Sequence, residues 1–271
     1  MFVQQAIAIL DSGVGGLTVA KEVMRQLPRE KIIYFGDTAR APYGPRTPDE
    51  VRLFTEQIVD YLLQYNPKMI VIACNTATAA ALQYISEKVD VPVIGVIHPG
   101  ARAAISATKT GHVGVIGTVG TIGSGAYTTA LKQLSPFVEV DSQACPALVP
   151  LVEQELFRSS SSLEIVRESL SGMDPERIDC LILGCTHYPF LKDMIQEVMG
   201  SRVKLISSAN ETAREISTIL YDKGQLASGE ETPVHQFFCT GDAPMFQKIA
   251  TEWLGEQIRR TPVVWQTAML P

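Results

Sequence analysis

The sequence predicts an α/β protein with two similar open parallel-sheet domains, each covered by helices on both faces. Short runs rich in valine and isoleucine alternate with segments whose apolar residues recur at helical spacing. Nearly all of these runs are apolar at every position, which is typical of parallel strands covered on both faces. The end of one run, at 73–76, resembles the end of a later one, at 184–187. We therefore expect two similar halves, with the active site in the cleft between them.

The strands are predicted from the apolar runs, and the segments between them are predicted to be crossover helices. A second likeness, between 8–13 and 115–120, occurs at nearly the same offset as the first. Chance similarity among apolar strands is the alternative explanation. The predicted strands are 6–10, 31–35, 69–73, 93–97, 113–116, 138–140, 180–183, 203–206 and 236–238.

Helix starts follow from capping chemistry. The segment 47–50, Thr-Pro-Asp-Glu, has a capping hydroxyl, a proline in the first turn and a glutamate three residues after the cap. The segments 161–164 and 208–211 have the same serine-to-glutamate spacing and predict caps at Ser161 and Ser208. Gly224 suits the left-handed position that ends the helix after 208.

Composition excludes several classes of protein. Of the 271 residues 46% are hydrophobic and the net charge is −6, with no cluster of lysine and arginine, so nucleic acid is not an expected partner. The longest apolar runs fall short of the about 18 residues that a membrane span requires, and the start MFVQQ has no positively charged segment. The five cysteines indicate reduced thiols. We expect a soluble, cytoplasmic protein with no membrane partner.

Two glycine-rich segments, 13–18 and 123–128, lack the third glycine of a dinucleotide-binding loop, and no stretch forms a P-loop. A bound dinucleotide or ATP is therefore disfavoured, and no cofactor is predicted. We interpret the glycines as tight strand-to-helix turns whose free N–H groups can hold a small carboxylate.

Cys74 and Cys185 each end a predicted strand and precede small polar residues that open a helix. Either one alone is typical of a buried, inert thiol. As a matched pair at helix N-termini they predict thiols of lowered pKa, next to N–H groups that bind a substrate carboxylate.

Two thiols on opposite sides of one small site suit a reaction that removes a proton from one face of a stereocentre and returns one to the other. Asp11, His187 and Glu153 are the candidates that would tune the thiols. Three other interpretations stay open. They are a zinc site made by both thiols and His187, a thiol hydrolase that uses Cys185 with a distant histidine, and a disulfide between the two thiols.

Four strings carry a resemblance that runs along the whole chain. They are DSGVGGL at 11–17, GDTARAPYG at 36–44, ACNTA at 73–77 and GCTHYP at 184–189. In this order and spacing they resemble the glutamate racemases, of the cofactor-independent aspartate/glutamate racemase superfamily. The resemblance implies an enzyme that interconverts L- and D-glutamate without metal or cofactor and supplies D-glutamate for peptidoglycan.

The resemblance also implies roles for individual residues. Cys74 matches the base that acts on the D-enantiomer and Cys185 the base that acts on the L-enantiomer. Asp11 and His187 match residues that assist the thiols, and Glu153 resembles a further acid near the second. The positions that match substrate-binding residues are Ser12, Tyr43, Gly44, Asn75, Thr76, Thr118, Thr121 and Thr186.

Two domains are implied, the second inserted into the first: 1–98 plus 208–271, and 99–207. A homodimer is left open. The alternatives are an aspartate or hydantoin racemase of the same superfamily and a binding protein for amino acids that performs no chemistry. From the residues alone, Tyr43 reads as part of a stiff turn, Glu153 as a solvent-facing carboxylate and His187 as a structural histidine, so these interpretations remain open too.

Overall fold

A computed structural model of the chain describes residues 4–154, 161–228 and 231–270. The strands in these ranges form a six-stranded and a four-stranded sheet, and every strand pair in them is parallel. The first sheet consists of β1 (Ile7–Asp11), β2 (Ile32–Gly36), β3 (Met69–Ile72), β4 (Val93–Gly95), β9 (His235–Cys239) and β10 (Val263–Thr267). The second consists of β5 (His112–Gly117), β6 (Glu139–Ala144), β7 (Cys180–Gly184) and β8 (Lys204–Ile206).

Helices connect these strands and cover the sheets. None of the helices within the described ranges is long and apolar enough to cross a membrane. They are α1 (Leu17–Gln26), α2 (Pro48–Leu63), α3 (Asn75–Lys88), α4 (Ile97–Ala107), α5 (Val119–Gly123), α6 (Ala126–Leu134), α7 (Leu148–Glu153), α8 (Ser162–Ser169), α9 (Lys192–Met199), α10 (Ser208–Asp222), α11 (Ala243–Leu254) and α12 (Glu256–Arg260).

The inner strands of each sheet are buried on both faces. In β1, Ile7 and Ile9 belong to a core shared with α1, α10 and α11, whereas Ala8 and Leu10 belong to a second core shared with α2 and α3. The second sheet divides in the same way, with α4 and α6 on one face and α7, α8 and α9 on the other. Alternate residues of a strand point to opposite faces, so both must be apolar here. The predicted fold class is confirmed.

The strand orders β10-β9-β2-β1-β3-β4 and β6-β5-β7-β8 place β1 and β5 at the points where the chain direction across each sheet reverses. Ligands of open α/β sheets bind at such points, beyond the carboxyl ends of the strands. The first sheet draws its strands from both ends of the chain and the second from the middle. The exact division into 1–98 plus 208–271 and 99–207 remains a prediction.

Most strands lie within one residue of the predicted bounds, and three differ by more or were not predicted. β4 ends at Gly95 rather than at 97 because Pro99 favours the first turn of a helix, and α4 begins at Ile97. β6 continues through polar residues to Ala144, since it lies at an edge and one of its sides needs no partner strand. β10 was not predicted because it too is an edge strand, half-exposed and not continuously apolar.

Two of the predicted helix signals are confirmed and two are wrong. Thr47 and Glu50 form the reciprocal capping box, and Gly224 adopts a positive φ of 63° at the end of α10. The cap of α10 is Ser207 rather than Ser208, because the extended backbone after β8 continues for one residue. Ser161 has helical backbone angles, so its side chain does not cap α8.

Candidate active site

Asp11 is the last residue of β1 and is fully buried. Its carboxylate accepts the N–H of Gly13 at 3.0 Å, and its other oxygen lies 3.4 Å from Thr186 Oγ1, which donates to it. Burial raises the pKa of Asp11, while the charge of His187 and the N–H bonds of the glycine turn oppose that shift. Asp11 therefore links the first sheet to the turn that follows β7.

The turn after β1 approaches its neighbours so closely that glycine is required. A Cβ on Gly15 would lie 2.3 Å from Thr186 Oγ1 and 2.6 Å from His187 Nδ1. A Cβ on Gly16 would lie 2.5 Å from the Cβ of Asp11. The predicted tight turn is present, and these contacts give the reason for its glycines: backbone from the first sheet packs directly on side chains that follow the second.

Cys74 caps α3, and its Sγ accepts the N–H of Ala77 at 3.4 Å. Its thiol is nearly buried, and Ser12 also hydrogen-bonds to it. Burial, reinforced by the charge of Asp11, raises the pKa of Cys74 to about 12, despite the opposing bonds from Ala77 and Ser12. The expected lowering of this pKa is therefore wrong, since desolvation outweighs the helix N-terminus. Cys74 is a protonated thiol at neutral pH.

Cys185 follows β7 directly, and its surroundings differ from those of Cys74. The residues after it form a short 3-10 turn, Tyr188–Leu191, and α9 starts only at Lys192. The prediction that an α-helix opens at Cys185 is therefore wrong. The partner of its sulfur is instead the imidazole of His187, with Nδ1 at 3.7 Å from Sγ.

His187 bridges Cys185 and Glu153. Its Nε2 lies 3.1 Å from Glu153 Oε1, and its side chain is 4% exposed compared with 31% for Glu153. Burial disfavours the imidazolium, but the hydrogen bonds and negative charges of Cys185 and Glu153 outweigh it and raise the pKa of His187 to about 10. The surroundings of His187 therefore favour its protonated form. Glu153, the last residue of α7, is linked to Cys185 through His187.

Three hydroxyl groups, those of Thr76, Thr118 and Thr121, form a cluster that joins the two sheets; we call it the threonine cluster. Thr76 Oγ1 lies 2.8 Å from Thr118 Oγ1 and 3.2 Å from Thr121 Oγ1, and the last pair is 3.0 Å apart. Beside it, Gly120 donates its N–H to the carbonyl of Gly44 at 2.9 Å. Four of the predicted substrate-binding residues therefore lie together.

Tyr43, another predicted substrate-binding residue, is buried, and its hydroxyl donates to the carboxylate of Asp37. Asp37 also accepts Arg40 Nε at 2.7 Å and Thr240 Oγ1 at 2.8 Å. Burial and the charge of Asp37 raise the pKa of Tyr43. The side chain of Tyr43 thus stabilises the loop, and its backbone lies next to Gly44. Asp37 was not among the predicted site residues, although it stands in the same GDTARAPYG string.

Asn75 follows Cys74 and is buried. Its Oδ1 accepts a hydrogen bond from the hydroxyl of Tyr127 at 2.7 Å, whereas its Nδ2 has no hydrogen-bond partner among the residues that the structure describes. Tyr127 belongs to α6 and was not predicted as a site residue. No sequence signal marks it, since a tyrosine at an apolar position of a helix is typical of the core.

The network brings the predicted residues of both sheets to one place. Asp11 and Ser12 lie beside Cys74, and Thr118 follows Gly117, which pairs with Gly184 next to Cys185. The charge of Cys185 further raises the pKa of Cys74, so the two sulfurs are within electrostatic reach of each other. Among the residues that the structure describes, no group of three or more His, Cys, Asp or Glu side chains is placed to hold a metal ion.

The chain that carries these two thiols is markedly similar in sequence to known proteins. The sequence profile of the Asp/Glu/Hydantoin racemase family matches residues 15–216. A glutamate racemase from Bacillus cereus (strain ATCC 10987 / NRS 248) is 54% identical over 265 residues, which cover 98% of each chain.

Solved structures give the same result in three dimensions. The glutamate racemase isoform RacE1 from Bacillus anthracis has a TM-score of 0.94 with 50% identity, over 99% of each chain. The glutamate racemase from Francisella tularensis, solved in complex with D-glutamate, has a TM-score of 0.89 with 32% identity, over 98% of each chain.

Proposed function

Since the chain belongs to the Asp/Glu/hydantoin racemase family, and within it to the glutamate racemases, we propose that it interconverts L- and D-glutamate by passing the α-proton between two thiols. Family membership makes the chain an enzyme, an amino-acid racemase of the isomerase class. The thiols are those of Cys74 and Cys185. The reaction as proposed uses no metal and no organic cofactor.

One observation carries the proposal: each sheet contributes one thiol from the carboxyl end of a strand beside its central strand, and each thiol has its own acid–base partner. Cys74 follows β3 and lies beside Asp11, while Cys185 follows β7 and lies beside His187. A single base would return the proton to the face that it came from. Two bases on facing sheets account for inversion.

The two thiols have different partners, since Cys74 lies beside the carboxyl group of Asp11 and Cys185 beside the imidazole of His187. In each direction of the reaction, one thiol acts as the base and the other as the acid. In the direction from L-glutamate, the thiolate form of Cys185, which lies beside His187, takes the α-proton and forms an S–H bond. The electron pair left on the α-carbon delocalises into the carboxylate. The thiol of Cys74 then gives its proton to the opposite face and becomes a thiolate, which yields D-glutamate. The reverse reaction starts from the opposite protonation of the pair.

We propose that neutral donors hold the substrate, because the candidate binding residues include no arginine or lysine. We assign the carboxylates of glutamate to the N–H groups at the start of α3 and to the side chains around them, because a helix N-terminus attracts negative charge. The residues proposed to bind substrate are Ser12, Tyr43, Gly44, Asn75, Thr76, Thr118, Thr121 and Thr186.

We further propose that the product D-glutamate supplies peptidoglycan synthesis and that the enzyme works in the cytoplasm. Whether two copies of the chain associate remains a prediction, which the molecular mass in solution would test. Light scattering of the purified protein measures it directly.

Incubation with L-glutamate in D₂O tests the activity and the mechanism together. We expect the unmodified protein to add deuterium at the α-carbon and to bring the optical rotation to zero without any added cofactor. Cys74→Ser and Cys185→Ser should each lower the racemisation rate by about 10²- to 10⁴-fold, because serine is a much weaker acid than cysteine at the same position.

Cys145→Ser is the matched control, since Cys145 is buried and its Sγ contacts the carbonyl of Ser169 at 3.2 Å, a bond that serine can keep. It should racemise glutamate at the parent rate. A Cys74→Ser or Cys185→Ser variant that folds and racemises glutamate near the parent rate would refute the two-thiol mechanism. If the protein added deuterium to aspartate or to a hydantoin but not to the α-carbon of glutamate, the proposal that glutamate is the substrate would be refuted.

A further inference from the structure

Asn75 has a buried amide that is satisfied at one end only. The residue is 3% exposed, and Oδ1 accepts a hydrogen bond from Tyr127 at 2.7 Å. The other end, Nδ2, is buried and has no hydrogen-bond partner within the described ranges. Buried amide donors are almost always paired in folded proteins, and a lone one at a binding site points to a partner outside the chain. The unpaired donor adjoins Cys74, where the substrate is proposed to bind.

Tyr127 lies on the other sheet's side of the cleft. It belongs to α6, which packs in the core of the second sheet, whereas Asn75 opens α3 against the first sheet. Tyr127 is 2% exposed, and its ring packs against two glycines that have no side chain to obstruct it. A Cβ on Gly184 would lie 3.1 Å from Tyr127 Cε2, and one on Gly100 would lie 3.2 Å from its hydroxyl oxygen.

The orientation of an asparagine amide follows from its hydrogen-bond partners, because its two ends have nearly the same shape. Burial raises the pKa of Tyr127, so the phenol keeps its proton and can donate at neutral pH. A donated hydrogen from Tyr127 fixes Oδ1 on the Tyr127 side. The amide NH₂ group is then the end left for the substrate, and an NH₂ group attracts a carboxylate that a carbonyl oxygen would repel.

We propose that Tyr127 is a positioning residue, which donates to Asn75 Oδ1 and so presents Asn75 Nδ2 to a carboxylate oxygen of the bound glutamate. The inference rests on the proposed function. Tyr127 itself does not touch the substrate in this scheme. Its hydroxyl acts only through Asn75, so its effect on binding must disappear when Asn75 no longer carries an amide.

A double-mutant cycle tests this dependence. The variants are Tyr127→Phe, Asn75→Ala and the two combined, and the measurements are kcat and KM for racemisation and the Kd of D-glutamate by calorimetry. We expect Tyr127→Phe to raise KM and Kd by about five-fold, the usual effect of one neutral hydrogen bond, with kcat within about two-fold of the parent. Asn75→Ala should raise them by at least as much, and the double variant should match Asn75→Ala.

Tyr188→Phe is the control. Tyr188 is also buried and also lies within electrostatic reach of Cys185, but its hydroxyl donates to the carbonyl of Cys145 at 3.0 Å. It should lower Tm as Tyr127→Phe does and leave KM and Kd unchanged. Asn75→Asp provides a second test should Tyr127→Phe fail to fold. Its carboxylate still accepts from Tyr127 but turns an oxygen toward the substrate, so Kd should rise more than in Asn75→Ala.

Additive effects of the two substitutions on Kd, or an Asn75→Asp variant that binds D-glutamate as tightly as the parent, would overturn the positioning role while leaving the racemase proposal intact. The proposed function is tested separately by the unmodified protein. If that protein neither binds nor racemises glutamate, both proposals fail. If it binds glutamate without racemising it, the mechanism fails and the Kd cycle still decides the role of Tyr127.

Discussion

Replacing Gly15 by alanine should damage the site far more than the fold. A Cβ there would lie 2.3 Å from Thr186 Oγ1 and 2.6 Å from His187 Nδ1, so both groups must retreat by about 1 Å to reach ordinary contact distances. Both are side-chain ends that can rotate, which keeps the expected cost in unfolding free energy near the lower limit for overpacking, about 1 kcal/mol. For a chain of this size Tm should fall by roughly 2 to 4 °C.

The same rotation would break the contacts of Thr186 with Asp11 and of His187 with Cys185, now 3.4 and 3.7 Å. A 1 Å misplacement of reacting groups lowers rates by about 100-fold, which is the loss of kcat that we expect. Polarimetry of L-glutamate measures the rate, and a thermal melt measures Tm.

Gly123→Ala is the matched control for this substitution. Gly123 ends α5, and a Cβ on it would meet no atom within 4 Å. We expect its rate and Tm to stay at the parent values. If Gly15→Ala kept more than half of the parent kcat, the close packing of the glycine turn on His187 would not matter for catalysis.

Two further predictions concern histidines. Glu153→Gln removes the negative partner of His187, so the pKa of His187 should fall below its value of about 10; NMR titration of the imidazole measures it, and an unchanged value would contradict the bridge. Burial, aided by the nearby charge of Lys31, lowers the pKa of His235 from 6.5 to about 4, and its Nδ1 accepts the N–H of Ile32 at 3.1 Å. As the pH falls, the unfolded chain binds this proton before the folded protein does, so the free energy of unfolding should fall by about 3 kcal/mol between pH 6.5 and 4. The fall should be smaller in His235→Asn, which has no imidazole at this position. Urea unfolding at pH 4 and pH 7 measures the loss in each protein, and an equal loss in the parent and in His235→Asn would refute this prediction.

The sheets could be predicted from sequence because most of their strands are buried on both faces and leave continuous apolar runs. β10 and part of β6 escaped prediction for the opposite reason, since edge strands keep polar residues. The error of one residue at Ser208 has the same origin as most boundary errors: extended backbone continues as far as local hydrogen bonds allow, which spacing alone does not fix.

The site was predictable where a residue's position in the chain determines its chemistry. Cys74 and Cys185 are found by their place after similar strands. The pKa of Cys74 could not be predicted, because it depends on how deeply the thiol is buried and on the distance of Asp11, both of which are tertiary facts. Tyr127 could not be found at all, since its hydroxyl contact crosses from one sheet to the other.

The threonine cluster connects the two sheets through uncharged hydroxyl groups. Its three hydroxyls hydrogen-bond to one another and none carries charge, so these contacts can break and form without stripping water from an ion. Water can form hydrogen bonds with these hydroxyls as readily as they form them with one another. The cluster therefore joins the two sheets through contacts whose strength does not change with salt or with pH in the neutral range.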